Sequence, residues 1–226
     1  MINIIVTGAS GRMGSEIAAL VHSSSDLHLA ASCNQASRLA CAITKGDVII
    51  DFTAPDASVD HARLAAEHGI PIVIGTTGFS EEELQSISDA ALEVAVVLSP
   101  NMSVGVNVLF AMTKLASAAF DKNFHIEIVE THHAHKKDKP SGTAKKIAQV
   151  IQQTHGRDEH IPIQALRTGE VIGNHLLRFT SESESLTLTH HAITRRIFAE
   201  GAIRAARWII GKPEGLYSMQ DVLHLK

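Results

Sequence analysis

The densest group of reactive side chains in the sequence lies at residues 130–144, which read ETHHAHKKDKPSGTA. Three histidines and three lysines fall within the eight residues from His132 to Lys139. Histidine can bind a metal, but neighbouring histidines on an extended strand point to opposite faces, and no carboxylate follows at a spacing such as HExxH. We therefore expect no metal site, and keep a metal-dependent hydrolase as an alternative that elemental analysis can test.

The same segment is better suited to holding an anion. A helical pattern follows Pro140, and the first N–H groups of a helix attract a carboxylate. Lys136 and an imidazolium add positive charge to this site. We expect the free N–H groups to belong to Ser141, Gly142 and Thr143. A solvated basic loop without a ligand is the alternative.

A second candidate site follows the first predicted strand, where residues 6–14 read VTGASGRMG. Gly8 permits a tight turn, Gly11 lets backbone N–H groups approach a pyrophosphate, and Gly14 allows a helix to pack closely on the sheet. Arg12 at the helix start can pair with a phosphate. The context is that of a dinucleotide-binding turn, although the spacing is GxxGxxG rather than GxGxxG. A glycine-rich turn that binds nothing is the alternative.

The acidic residue that takes the ribose hydroxyls of NAD is missing from the end of the second predicted strand. Asn34 stands there, and Arg38 is the nearest candidate to meet the 2′-phosphate of NADPH. The sequence therefore leaves the choice between NADH and NADPH open.

Another loop, Gly75-Thr76-Thr77-Gly78, follows the fourth predicted strand, at the edge where open α/β sheets bind ligands. Its backbone could hold the nicotinamide amide, or it is only a turn.

Composition restricts the class of protein. The 226 residues are 45% hydrophobic and 19% charged, which is typical of a folded globular protein. The 20 basic and 24 acidic residues give a net charge of −4, without the basic excess of a nucleic-acid-binding protein. No apolar run approaches the length of a membrane span, no leader precedes Ile2, and Cys33 and Cys41 lack a CxxC spacing. We expect a cytoplasmic protein that binds neither nucleic acid nor a membrane.

The first hundred residues alternate β-branched runs with segments of helical period, a pattern typical of a parallel sheet covered by helices. We predict an α/β fold with a Rossmann-like nucleotide-binding domain. Strands are expected at 2–6, 27–32, 47–52, 70–74 and 94–98. Helices are expected at 12–22, after a cap at Asp56, and after a capping box formed by Ser80 and Glu83.

From residue 103 the pattern changes to that of an α+β domain with an open mixed sheet and helices on one side. A helix follows Pro140, and strands are expected at 125–129, 161–167, 175–180 and 185–191. A long apolar stripe predicts a further helix through Gly105, Val108, Leu109, Met112, Leu115, Ala116 and Ala119. A last helix at 200–210 is expected to pack back on the first domain. We therefore predict one domain of residues 1–103 with 196–226, and a second of residues 104–195.

These motifs together closely resemble the dihydrodipicolinate reductase family, over nearly the whole chain. The stretch of histidines and lysines running into PSGTA is highly specific for that family. The resemblance rests on VTGASGRMG (6–14), IIDFTAP (49–55), IGTTGF (74–79), SPNMSVGVN (99–107), EIVETHHAHKKDKPSGTA (127–144), RTGEVIGNH (167–175) and FAEGAIRAARW (198–208). It implies that NADH or NADPH reduces 4-hydroxy-tetrahydrodipicolinate to tetrahydrodipicolinate, in lysine biosynthesis through diaminopimelate.

The resemblance also implies roles for single residues. His132 corresponds to the acid/base histidine, and Lys136 to the lysine that donates a proton or holds the substrate. Arg195 falls at the arginine that joins the domains. The dicarboxylate substrate is expected to contact His133, Ser141, Gly142, Thr143 and Arg195. The cofactor is expected to contact Gly8, Ser10, Gly11, Arg12, Met13, Asn34, Gly75, Thr76, Thr77, Ser99, Asn101 and Met102.

Two features depart from the family pattern. Relatives usually carry an acidic residue at the position of Asn34, and their connection between the second and third strands is longer than the roughly fifteen residues here, a difference that should spare the chemistry. The resemblance further implies a homotetramer built on the sheet of residues 104–195, which is also the substrate domain. It also implies that the domains close about hinges near 99–103 and 195–199.

A dinucleotide sensor without enzymatic activity is a further alternative, although a sensor would have no use for the cationic loop.

Overall fold

The computed structural model describes residues 1–34, 39–120, 123–156 and 160–225. The chain divides into two compact units. The first consists of Met1–Val104 and Arg196–His224, and the second of Gly105–Arg195 with Leu225. The functions assigned above to the two domains remain predictions. None of the described helices is long and apolar enough to cross a membrane.

The described residues form ten strands and seven α-helices. The strands are β1 Ile2–Thr7, β2 Leu27–Cys33, β3 Val48–Asp51, β4 Ile72–Ile74, β5 Ala95–Leu98, β6 His125–His132, β7 Ile163–Arg167, β8 Gly173–Thr180, β9 Ser185–Ala192 and β10 Gly215–Tyr217. The helices are α1 Arg12–Ser23, α2 Pro55–His68, α3 Glu81–Ala90, α4 Val104–Ala119, α5 Gly142–His155, α6 Arg196–Ile209 and α7 Met219–Val222.

The first unit contains a six-stranded sheet in the order β10-β5-β4-β3-β1-β2, with all pairs parallel. Helices cover both faces, so the strands are apolar on both sides. Ile4 and Val6 join a core with α1 and α6, whereas Ile5 joins one with α2 and α3. The predicted Rossmann-like fold is confirmed. The sequence pattern did not predict β10, because three residues at the sheet edge carry no recognisable period.

The second unit contains a four-stranded sheet in the order β7-β6-β8-β9. β6 and β7 are parallel, whereas the β6–β8 and β8–β9 pairs are antiparallel. Helices α4 and α5 share one core with Ile128, Leu177 and Phe179 of the sheet. The predicted mixed sheet is therefore confirmed, as is the buried face of α5, which comprises Ala144, Ile147, Ala148 and Ile151.

The predicted apolar stripe of α4 is partly wrong. Leu109 and Ala116 are buried, but Val108, Met112 and Leu115 are 37%, 46% and 73% exposed. Most of the circumference of this helix is apolar, so the period of the apolar residues does not define its buried face. The core contacts are made instead by a face that also includes Val106, Asn107, Phe110, Thr113 and Ser117.

Two helix starts also differ from the prediction. Ala54 is the N-cap of α2 and Pro55 its first residue, so Asp56 lies in the first turn rather than at the cap. Proline is favoured at this position because its φ is already helical. Helix α6 begins at Arg196, before residue 200, because Ala199 already lies in the core. The capping box of Ser80 and Glu83 is present as predicted.

Candidate active site

A fully buried carboxylate on β6 lies at the centre of the reactive segment. Glu130 and His132 are two residues apart on the strand and therefore share a face. Arg167 donates from Nη1 and Nη2 to the Oε2 and Oε1 atoms of Glu130, over 2.9 and 2.8 Å. His132 Nδ1 donates to Oε2 over 2.5 Å, and the Ser141 N–H donates to Oε1 over 3.1 Å. Both oxygens of this buried carboxylate are thus paired with donors.

Arg167 links the strand that carries the histidine to the loop that carries the lysines. It lies at the end of β7, opposite His132 in the parallel pairing. Besides its two bonds to Glu130, its guanidinium donates to the backbone carbonyls of Lys136 over 3.3 Å and Asp138 over 2.5 Å. Sequence analysis assigned no role to Glu130 or Arg167. The signal that points to Arg167 is its place at the start of the RTGEVIGNH segment.

The Glu130–His132 pair combines an ionised carboxylate with a neutral imidazole. Burial raises the pKa of Glu130, but hydrogen bonds from Arg167, His132 and Ser141 outweigh burial, so the pKa lies below its ordinary value. Burial lowers the pKa of His132, and Glu130 compensates only in part. Because an ionised carboxylate only accepts hydrogen bonds, the neutral ring carries its proton at Nδ1 and a lone pair at Nε2.

Space at Nε2 of His132 is provided by Gly173, the first residue of β8. A Cβ atom at Gly173 would lie 3.0 Å from Nε2. The His175 ring packs edge-on against the His132 ring, with the centroids 5.2 Å apart, and its Nε2 lies 3.2 Å from Ser141 Oγ. Burial lowers the pKa of His175 to about 3. His175, which sequence analysis missed, is therefore a neutral wall of the site.

One detail of the predicted anion site is wrong. The N–H of Ser141 is not available to a ligand, because Glu130 accepts it. The Oγ of Ser141 instead caps α5 by accepting the N–H of Ala144 over 3.2 Å. The space at the start of α5 lies at Gly142, where a Cβ atom would have no neighbour within 4 Å.

Two predicted substrate-binding cations, Lys136 and Arg195, lie in the same unit as this helix start. Lys136 Nζ lies 2.7 Å from Asp138 Oδ1, and the lysine side chain is 23% exposed. Burial raises the pKa of Asp138, but the hydrogen bond and charge of Lys136 lower it by a larger amount, so the pKa lies below its ordinary value. Arg195 Nη2 lies 3.5 Å from His133 Nε2. No group of three or more metal-ligating side chains occurs among the residues that the structure describes.

The glycine turn between β1 and α1 fits a pyrophosphate. Gly8 has a φ of +73°, and a Cβ atom there would lie 2.2 Å from the carbonyl oxygen of Phe52. A Cβ atom at Gly14 would lie 2.2 Å from the carbonyl oxygen of Gly8. Gly11 is the N-cap of α1, and no described side chain bonds to the N-terminal amides of that helix. These amides can therefore receive phosphate oxygens, with the exposed Arg12 beside them.

Asn34 is bonded to this turn. Its Oδ1 atom accepts the backbone N–H of Ser10 over 2.8 Å. The neutral residue that replaces the expected carboxylate thus fixes the glycine turn from the end of β2. Arg38, the candidate partner for a 2′-phosphate, lies outside the described residues.

The remaining predicted cofactor residues lie in the same unit. Thr76 is buried and Thr77 is exposed in the loop after β4. Ser99 Oγ donates to the carbonyl oxygen of Asn101 over 2.9 Å. Met102 is 1% exposed and belongs to the core, so its side chain is not available to a ligand. Every predicted cofactor residue lies in the first unit and every predicted substrate residue in the second.

Comparisons with known proteins identify the family. Two family models match the chain: "Dihydrodipicolinate reductase, N-terminus" over residues 2–102 and "Dihydrodipicolinate reductase, C-terminus" over residues 105–223. A 4-hydroxy-tetrahydrodipicolinate reductase from Anaeromyxobacter sp. is 41% identical over 265 positions, covering 100% of this chain and 99% of the relative. The reductase of the same name from Nitrosomonas eutropha is 39% identical, with 100% and 99% covered.

Solved structures agree with this relationship. A dipicolinate-bound dihydrodipicolinate reductase from Paenisporosarcina sp. TG-14 has a TM-score of 0.85 at 26% identity, with 98% of each chain covered. A diaminopimelate dehydrogenase from C. glutamicum has a TM-score of 0.62 at 10% identity, with 99% and 95% covered, a likeness that shows the fold alone. The family predicted from the motifs is confirmed: the chain belongs to the dihydrodipicolinate reductase family.

Proposed function

We propose that this chain reduces 4-hydroxy-tetrahydrodipicolinate to tetrahydrodipicolinate with NADH or NADPH, in the diaminopimelate pathway to lysine. The observation that carries the proposal is a neutral His132, oriented by Glu130 and open at Nε2, beside a lysine loop and a helix N-terminus. A steady-state assay with freshly generated substrate and either coenzyme tests it. A silent assay with tight NADH binding would favour a dinucleotide sensor, and bound zinc, iron or manganese would favour a hydrolase.

The reduction requires a hydride and a proton, and one molecule of water is lost overall. A bound reduced nicotinamide supplies the hydride. We assign the proton to Nε2 of His132, because Nδ1 is committed to Glu130. A dianionic substrate near the ring raises the pKa of the imidazole, so binding favours the protonated form that the step consumes.

The substrate carboxylates have separate donors in the second unit. Lys136 can exchange Asp138 for a substrate carboxylate, and Arg195 lies beside His133. The start of α5 supplies the N–H group of Gly142 and the positive end of the helix dipole. These groups can bind a small dicarboxylate without the help of a metal ion.

We also propose a cytoplasmic homotetramer assembled through the sheet of the second unit. Three large apolar side chains on or next to its strands are exposed: Leu166, Leu186 and Ile193, by 51%, 38% and 87%. Burial of such side chains against another copy would remove apolar surface from water.

His132→Gln should lower kcat by about 10²- to 10⁴-fold, the usual contribution of a positioned acid or base, without changing the Kd for NADH. The wild-type kcat/KM should fall as pH rises from about 6 to about 8, because the protonated fraction of a ring with a lowered pKa decreases over that range. The variant should lose this slope. A near-normal kcat, or an unchanged pH slope, would remove His132 from the role of acid.

Lys136→Ala should raise the KM for the dicarboxylate and lower kcat, since this lysine both attracts a carboxylate and supports protonation. The exposed lysines of the same loop provide matched controls, because Lys137→Ala and Lys139→Ala remove equal charge without the half-buried position. Steady-state kinetics of the three variants distinguish the cases. Equal effects would mean that the loop acts through diffuse charge only.

The two coenzymes should be used with kcat/KM values within about ten- to a hundredfold of each other, because Asn34 neither binds both ribose hydroxyls nor repels a 2′-phosphate strongly. Asn34→Asp keeps an acceptor for the Ser10 N–H, adds a charge, and should shift the ratio toward NADH. Asn34→Ala removes the acceptor and should weaken the binding of NADH and NADPH equally. A wild-type preference of about a thousandfold or more, or an unmoved ratio in Asn34→Asp, contradicts this assignment.

A further inference from the structure

A second buried carboxylate lies in the first unit and has no part in the mechanism above. Asp51 is the last residue of β3, between β1 and β4 in the sheet, and is fully buried. Its oxygens are surrounded by donors from four different places in the chain. Oδ1 accepts from Thr7 Oγ1 (2.5 Å), Thr53 Oγ1 (2.9 Å) and His61 Nδ1 (2.8 Å), while Oδ2 accepts from Ser58 Oγ and from Thr76 Oγ1 (3.1 Å).

Asp51 is ionised in this environment. Burial raises the pKa of Asp51, but the hydrogen bonds from His61, Ser58 and Thr7 outweigh burial, so the pKa lies below its ordinary value. Burying a charge costs hydration free energy, and an apolar side chain at a core position could give the same stability without that cost. The donors therefore suggest a role in fixing geometry.

The geometry that Asp51 fixes is that of the loops after β3 and β4. The hydroxyl of Thr76 donates to Asp51 and accepts the backbone N–H of Thr53 over 3.0 Å. This hydroxyl is thus committed to the protein, and the Gly75 N–H donates to the Asp51 carbonyl oxygen over 2.9 Å. The backbone of residues 76–78 and the exposed Thr77 are left for a ligand. Parallel sheets bind ligands at this carboxyl edge.

Close contacts connect the two loops to the glycine turn. A Cβ atom at Gly75 would lie 2.2 Å from Cζ of the Phe52 ring. A Cβ atom at Gly8 would lie 2.2 Å from the carbonyl oxygen of Phe52. The loop after β3 therefore contacts both the glycine turn and the loop after β4.

We propose that Asp51 is a positioning residue for the nicotinamide half of the cofactor: through Thr76 and Thr53 it holds the loops after β3 and β4 in the geometry that receives the nicotinamide ring. This inference rests on the proposed function, since it takes the ligand of this edge to be a nicotinamide dinucleotide. On the adenine side, the bond between Asn34 and the Ser10 N–H involves no contact with Asp51. Thr7, which does donate to Asp51, is held in β1 by its pairing with β2 and β3.

The test compares two probes by fluorescence titration and calorimetry: NADH, and ADP-ribose, which lacks the nicotinamide. Asp51→Asn places an amide among hydroxyl donors and removes the charge. We expect the Kd for NADH to rise about ten- to a hundredfold, the effect of losing a hydrogen bond to a charged group, while the Kd for ADP-ribose stays unchanged. In steady state, kcat should fall and the KM for the dicarboxylate should not change.

A pair of substitutions at Thr76 covers the case in which Asp51→Asn does not fold. Thr76→Val removes the hydroxyl that joins Asp51 to the loop and should reproduce the selective loss of NADH affinity. Thr76→Ser keeps the hydroxyl and should bind NADH as the wild type does.

Equal weakening of NADH and ADP-ribose, or a loss of thermal stability with both Kd values unchanged, would overturn the positioning role and leave a structural one. A wild-type chain that binds neither probe would instead refute the proposed function, and this inference with it.

Discussion

Burying the Glu130 carboxylate costs several kcal/mol of hydration free energy unless donors replace the lost water, and the candidate active site is arranged around those donors. Arg167, His132 and Ser141 supply them, from β7, from β6 itself and from the start of α5. Glu130 therefore orients His132, binds the N-cap residue of α5, and holds Arg167, which in turn donates to two carbonyl groups of the lysine loop. Removing one partner of such a buried pair typically costs about 3–5 kcal/mol, so the arrangement tolerates little change.

The two units of the chain use the same physical device. In the first, Asp51 at the end of β3 joins loops that follow neighbouring strands; in the second, Glu130 near the end of β6 joins a strand, a loop and a helix N-terminus. Each carboxylate is fully buried and each has its pKa lowered by hydrogen bonds that outweigh burial. A rigid carboxylate with many donors fixes several loops at once, which a short apolar contact cannot do.

Sequence patterns predicted what depends on local order. Alternation of strand and helix gave the parallel sheet, the period of α5 gave its buried face, and the order of the motifs gave the family. Contacts between residues distant in the sequence could not be predicted from these patterns. Arg167 lies 37 positions from Glu130, and nothing in the spacing indicates that they meet. The Ser141 amide is consumed by the same carboxylate, so the local expectation of a free N–H failed. In α4 the periodicity failed because the helix is apolar on both faces.

The claim that Glu130 fixes the form of His132 can be tested by ¹⁵N NMR of the histidine ring nitrogens across a pH titration, with the His132→Gln spectrum for assignment. We expect an Nδ1-protonated neutral ring in the wild type, with the pKa of His132 below its ordinary value of 6.5. In Glu130→Gln the pKa of His132 should fall further, because the carboxylate that stabilises the protonated ring has lost its charge, and the Nδ1 preference should weaken. A wild-type ring protonated at Nε2, or a titration that is identical in Glu130→Gln, would contradict the account.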